Sequence, residues 1–284
     1  MIKILKKILA FSLALFVAAC NTEQPKDEML EDTLSASEIP ADLQEEMPFV
    51  LPSPLQIASI FKKSGLTFMS NITNPVGNVT KYSSKLSKSL NFGGYAADLS
   101  YCVLNNQSQP ALEYMKVIRQ LSDELGVSSI INSESLFKSF EKNIGQEDSM
   151  IVILSQIQEQ LDEHLQQNNQ EYMSAVYFTG GWIEAMYLGS KLVKEKQKLS
   201  NRLVEQMGIL DMLINGLSLN PKSAELDKII SDLTAVKATY DNFESVKKFQ
   251  DNPEMKLEDF TIKEDEMTII ITKVQEIRTS IING

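Results

Sequence analysis

From residue 54 to the C-terminus the apolar side chains recur at steps of three and four and nowhere alternate in twos over the length of a strand, so the pattern predicts helices throughout. Leu55, Ala58, Ile60, Phe61 and Leu66 share one face of a first, short helix. Ser53 can accept from its first free N–H groups, Pro54 has the φ its first turn needs, and Gly65 helps to end it. Asn74-Pro75-Val76-Gly77 predicts a turn, because proline fixes one φ and glycine permits a positive one, and a long helix follows over residues 79–104. Leu112, Met115, Val117, Ile118, Leu121 and Leu125 predict another helix, stopped by Gly126. Further helices are expected over residues 133–145, 148–167, 199–219 and 223–249, with Asn220-Pro221 marking a stop because proline cannot continue a helix. In the last, over residues 264–282, Met267, Ile270, Ile271, Val274, Ile277 and Ile281 form one stripe, which docks the C-terminus on the core.

One stretch departs from this amphipathic pattern. Residues 174–189 (Ser-Ala-Val-Tyr-Phe-Thr-Gly-Gly-Trp-Ile-Glu-Ala-Met-Tyr-Leu-Gly) are apolar on nearly every side and have the length of a buried helix, the element around which the others are expected to pack. The glycine pair at 180–181 has an echo 87 residues upstream at 93–94, and each pair is followed by an aromatic, an acid and, three residues after the acid, a tyrosine. That echo is either a weak duplication into two halves or a chance match. The expected class is all-α: a multi-helix bundle of about eight or nine helices forming one domain over residues 51–284.

The N-terminus sets the compartment. Lys3, Lys6 and Lys7 precede an apolar run from 8 to 17 that ends in Val17-Ala18-Ala19-Cys20. A ten-residue run, apolar but for Ser12, falls short of the about 20 that a membrane-spanning helix needs, so residues 1–19 are expected to be a signal peptide. The arrangement resembles bacterial lipoprotein precursors, and the resemblance implies that Cys20 is diacylated and becomes the new N-terminus; an ordinary cleaved secretory signal is the alternative. At about 0.8 kcal/mol per buried methylene, two or three acyl chains hold a protein on a bilayer almost permanently. If Cys20 carries lipid, Cys102 has no intramolecular partner, and its apolar neighbours make it a buried small hydrophobe rather than a reactive thiol.

Maturation also changes the charge. Removing residues 1–19 takes three of the 27 basic side chains and none of the 38 acids, leaving a net charge of −14. Such a surface repels nucleic acid, which is set aside as a partner. Residues 21–47 hold nine acids and one lysine with few large apolar side chains, so residues 20–50 are expected to be a lipidated cysteine and an acidic, flexible tether. A linker of that length spaces its domain roughly 30 Å from the anchor. Lys26-Asp27-Glu28 resembles the lysine-plus-acids signals that direct some Bacteroidota lipoproteins to the outer surface, though the match is three residues long and the plainer reading is part of an acidic linker. Asn21 is not the aspartate that marks inner-membrane retention, so the outer membrane is expected, with the periplasmic or outward-facing side undecided.

Residues 91–101 (Asn-Phe-Gly-Gly-Tyr-Ala-Ala-Asp-Leu-Ser-Tyr) and 180–188 (Gly-Gly-Trp-Ile-Glu-Ala-Met-Tyr-Leu) resemble stretches of a family of helical lipoproteins in Bacteroidota. The resemblance covers about residues 74–217 and implies the helical fold and an envelope location; it carries no activity and no site.

Motif chemistry is sparse. His164 is the single histidine, which excludes a zinc site built on paired histidines and leaves Ser-His catalysis no second support. Ser59-x-x-Lys62 and Ser135-x-x-Lys138 match part of the penicillin-binding signature, but Lys63-Ser64-Gly65 follows the first directly instead of far downstream on a strand. No phosphate loop or dinucleotide fingerprint occurs, and no metal or other cofactor is expected. What remains is a polar seam on the two apolar helices. Ser87, Asn91, Gly94, Asp98 and Asn105 fall near one line, and Ser174, Gly181, Glu184 and Lys191 occupy a stripe about 100° wide. Acids on such helices need partners or water. Either each seam meets solvent or a neighbour's polar edge, or Asp98 and Glu184, walled by Tyr95, Tyr101, Trp182 and Tyr187, line a shared cleft for a small cationic or polyol ligand. Two functions follow: a lipid-anchored envelope protein that binds or scaffolds an envelope partner, or a hydrolase using Asp98 and Glu184 as paired acids on an envelope polymer. The second requires carboxyls about 5–10 Å apart in an open cleft.

Overall fold

Ser53 opens the first helix as a reciprocal cap: its Oγ accepts the Gln56 N–H at 3.2 Å, and Gln56 Oε1 accepts the Ser53 N–H at 2.6 Å. The computed structural model describes residues 53–131, 134–252, 254–255 and 259–284. The expected signal peptide, Cys20, Lys26-Asp27-Glu28 and the expected tether lie outside the described residues.

Twelve α-helices occur among the described residues, and no strand. They are α1 (Pro54–Lys63), α2 (Lys85–Leu104), α3 (Ser108–Leu125), α4 (Ser128–Ile131), α5 (Glu134–Asn143), α6 (Glu147–Gln167), α7 (Tyr172–Ser190), α8 (Gln197–Met207), α9 (Leu210–Ser218), α10 (Ala224–Asp241), α11 (Glu244–Gln250) and α12 (Glu264–Asn283). The all-α class is as the periodicity predicts, and the count exceeds eight or nine because two expected segments are split and the short α4 was not expected; a third expected segment begins late. The helix expected from residue 79 starts only at Lys85, where Ser84 Oγ caps the Ser87 N–H at 2.9 Å. Before it, Val76–Lys81 is a 3-10 turn, in a sequence (Val-Gly-Asn-Val-Thr-Lys) rich in poor helix formers. Residues 199–219 break at Gly208–Ile209 into α8 and α9, and residues 223–249 break at Asn242, after which Phe243 turns into the core.

Helices α2 and α7 are the axis of the bundle. α7 buries residues on every side, from Val176 and Tyr177 to Trp182, Met186 and Leu188, and α2 is buried almost as fully. Phe92 packs on Tyr177 with ring centroids 5.2 Å apart, Gly94 faces Gly180, and Asp98 adjoins Glu184. These contacts advance in the same sense on both helices, so α2 and α7 run parallel. α1 and α3 pack on α2, α8 and α9 pack on α7, α10 bridges α9 to α12, and α12 lies along α7 and reaches α2.

The axis is closed by the first glycine of each pair. A Cβ on Gly93 would stand 1.7 Å from the Tyr177 carbonyl oxygen, and one on Gly180 would stand 1.8 Å from that of Leu90. No side chain fits where one backbone lies against another. The second glycines are less constrained: a Cβ on Gly181 would meet Pro54 Cγ at 3.0 Å and Gly93 O at 3.1 Å, and one on Gly94 would find ordinary contact with Gly180 O at 3.8 Å.

Candidate functional site

The three elements that meet beside this crossing each contribute one ionisable group: Asp98 from α2, Glu184 from α7 and Arg278 from α12. All three are buried, Asp98 at 0%, Glu184 at 2% and Arg278 at 7% exposure. Arg278 grips Glu184 with both arms of its guanidinium, Nε donating to Oε2 at 2.8 Å and Nη2 to Oε1 at 2.7 Å. This fork-to-fork pairing uses the planar geometry that only arginine offers a carboxylate. Nη2 also donates to the Ile72 carbonyl at 3.2 Å. The guanidinium lies 3.8 Å from the centroid of the Tyr187 ring, and Lys191 Nζ lies 3.8 Å from the same centroid, so this tyrosine serves two cations.

Asp98 is held differently. Its Oδ2 accepts the Asn74 N–H at 3.1 Å, while its buried Oδ1 receives no N–H or O–H. The neighbouring group is the Glu184 carboxylate, so the two carboxyls can hydrogen-bond only when one carries a proton, and with both Glu184 oxygens accepting from Arg278 that proton falls to Asp98. Burial pushes the Asp98 carboxyl well above the usual range, and the charge of Glu184 adds to that rise; Arg278 and the Asn74 N–H pull the other way. The arrangement of lowest charge is therefore neutral Asp98, anionic Glu184 and cationic Arg278: two acids, one base and one shared proton.

Asn74 completes the cluster on its outer side and is itself completely buried. Beyond its bond to Asp98, its Nδ2 donates to Tyr82 Oη at 3.0 Å and to Asn91 Oδ1 at 3.3 Å. Its Oδ1 accepts from Asn78 Nδ2 at 2.9 Å, and its carbonyl accepts from Tyr114 Oη at 3.1 Å. The Asn-Pro turn expected from sequence is thus also a hub that ties residues 72–82 to α2 and α3. Asn91 extends the network by donating to the Ile281 carbonyl of α12 at 2.9 Å.

The six residues grouped from sequence are divided among separate tasks. Asp98, Glu184 and Tyr187 do come together, around Arg278. Tyr95 donates to the Pro75 carbonyl at 3.0 Å, and Tyr101 donates to the Thr67 carbonyl at 3.0 Å while accepting the Met69 N–H at 2.7 Å, so both fasten the segment between α1 and α2. Burial raises both phenols above their ordinary pKa. Trp182 is a core side chain at 1% exposure. The expectation of a cleft with aromatic walls is corrected here: the carboxyls are sealed, and the cation placed against Glu184 is the protein's own Arg278. Both polar seams instead face a neighbour's polar edge, Asn91 meeting α12 and Glu184 meeting Arg278.

Arg278 and Asn74 were missed from sequence. Arg278 left a signal, since it is one of three arginines in the chain and stands four residues after Val274 and three before Ile281, inside the apolar stripe of the last helix. Asn74 left none beyond its turn chemistry.

The remaining chemistry-bearing side chains serve the fold. Cys102 is buried at 1% exposure with its thiol pushed up by burial. Lys62 donates to the Leu104 carbonyl at the end of α2 and pairs with Glu147 at 3.0 Å, so the lysine of the first Ser-x-x-Lys match acts as a helix-end partner. His164 is half-buried on α6. Among the described residues no group of three or more His, Cys, Asp or Glu is placed to hold a metal, and no helix is long and apolar enough to cross a membrane. A cavity of about 10 Å³ between α2, α3 and α6, lined by Val103, Gln107 and Met150 among others, has room for about one water. Compared with protein-family models, curated proteins and solved structures, the chain matches none.

Proposed function

We propose that this is a lipid-anchored protein of the cell envelope, held at the outer membrane through Cys20, whose helical domain binds or scaffolds an envelope partner at the end of an acidic tether. The observation that carries the reading is how the interior polar groups are used. Both oxygens of Glu184 are taken by Arg278, Asp98 faces Asn74 and Glu184, and the buried tyrosines hold backbone carbonyls. Polar chemistry committed to internal bonds supports a rigid body whose outer surface meets the partner, in preference to a hydrolase working through the paired acids. The Val17-Ala18-Ala19-Cys20 run and the acidic residues after it support the anchor and the spacing.

Cys20→Ser tests the anchor. The variant is expected to leave the membrane fraction or to stay unprocessed, with the helical content of its domain unchanged by circular dichroism. Retention of a processed Cys20→Ser chain on membranes after a salt wash would end the lipid-anchor reading.

A further inference from the structure

The outermost element at the ionic cluster is α12, the C-terminal helix. It buries one stripe and leaves Thr268, Ile269 and Thr272 on its outer side. Near its C-terminal end, polar bonds join it to the rest of the domain at three points: Arg278 to Glu184, Arg278 to the Ile72 carbonyl, and the Asn91 amide to the Ile281 carbonyl. Two of the three pass through the single cation of a cluster that contains two acids.

We propose that Asp98, Glu184 and Arg278 form a proton-gated latch on α12: a proton on Asp98 keeps the helix closed, and its loss to solvent lets the helix lift away from α7. The proposal does not depend on the scaffolding reading. The only bond broken is the Asp98 O–H, and the proton passes to water or buffer. Once ionised, Asp98 faces the Glu184 carboxylate with one guanidinium between two buried anions, and its unpartnered Oδ1 has no donor left nearby. Lifting α12 admits water to both carboxylates and relieves that excess of charge.

Other groups facing the cluster do not compete for the role. Tyr95, Tyr101 and Cys102 on α2, Tyr114 on α3 and Tyr82 beyond the 3-10 turn are all pushed upward by burial and stay neutral through the physiological range. Just past the end of α7, Lys191 lies against the Tyr187 ring. Asp98 is therefore the group that titrates. Its closed-state pKa is raised, so closure is fully favoured below the ordinary carboxyl pKa and is lost as pH rises through the closed-state value. Between those limits the opening equilibrium of α12 grows by up to tenfold per pH unit.

The test is hydrogen exchange, resolved to peptides, on the full-length chain in detergent from pH 5 to pH 9, corrected for intrinsic rates. Amides of α12 are expected to lose at least tenfold in protection as pH rises, ahead of those of α2 and α7. Asp98→Asn, which keeps an acceptor for Asn74 and supplies a permanent donor to Glu184, should hold α12 closed with no pH slope. If that variant fails to fold, Glu184→Gln gives the second arm: burial still raises the Asp98 carboxyl, but the like charge beside it is gone, so the pH at which α12 loses protection should fall. A flat wild-type profile, a loss shared equally by all helices, a slope that survives in folded Asp98→Asn, or a Glu184→Gln profile that does not move to lower pH would overturn the latch.

Discussion

Helices α2 and α7 meet at two levels that are held by opposite means. At the glycine level, Gly93 and Gly180 bring backbone against backbone with no side chain between, and nothing there depends on charge or pH. One turn further along, at the acid level, Asp98 and Glu184 meet side chain to side chain, and the contact depends on a proton and on an arginine supplied by a third helix. The first level is defined by what cannot be inserted. The second is defined by what cannot be removed. A parallel pair locked sterically at one point can thus carry a titratable contact at the next without coming apart, which is why the consequence of ionisation falls on α12 and not on the axis.

The acid level should break most severely. Arg278→Met leaves Glu184 and Asp98 buried without a cation, a change that typically costs about 3–5 kcal/mol. The sign of its pH dependence follows from the charges. With no arginine to pull it down, the buried Asp98 carboxyl is raised further, so the deficit should be smaller at pH 5 than at pH 8 by chemical denaturation. Adding Glu184→Gln should recover part of the loss, because the uncompensated anion is gone.

Next comes the glycine level. Gly180→Ala and Gly93→Ala each gain helix propensity of about 1 kcal/mol but must part the two backbones. A net loss of about 2–3 kcal/mol is expected, or roughly 4–12 °C in melting temperature for a domain of this size, with no dependence on pH. A pH-independent loss here beside a pH-dependent one at Arg278 would establish that the two levels act separately.

The smallest effect sharpens the comparison most. Gly94→Ala places its Cβ in ordinary contact, 3.8 Å from Gly180 O, so the propensity gain should survive and the protein should be unchanged or more stable by up to about 1 kcal/mol. Destabilisation by Gly94→Ala would mean that the axis is tighter than the two first glycines alone make it.

How far the sequence reached differs from element to element. The last helix was legible to within a few residues because its stripe is long and unbroken from Met267 to Ile281, and periodicity reports the buried face directly. α8 and α9 were merged because the stripe runs on through Gly208, and a helix break that preserves the apolar register leaves little trace in it. The acids of the cluster were legible as anomalies, since Asp98 and Glu184 stand on helices with no solvent face. Their partner was not paired with them, because Arg278 lies 94 residues from Glu184 and spacing carries no information about which helices become neighbours.

Sequence by itself determined the helical class, the buried axis, the presence of two acids inside it, and the basic, apolar and small-residue run that ends at Cys20. These are properties of composition and short-range order, which local sterics and hydrophobic periodicity control. Only the tertiary structure decided that Gly93 and Gly180 carry the closest approach while Gly94 is left in ordinary contact; that Asn74 is a hub; and that the cation facing Glu184 belongs to the protein. Each of these depends on where a group from a distant helix comes to rest, and that placement is set by the packing of the whole core.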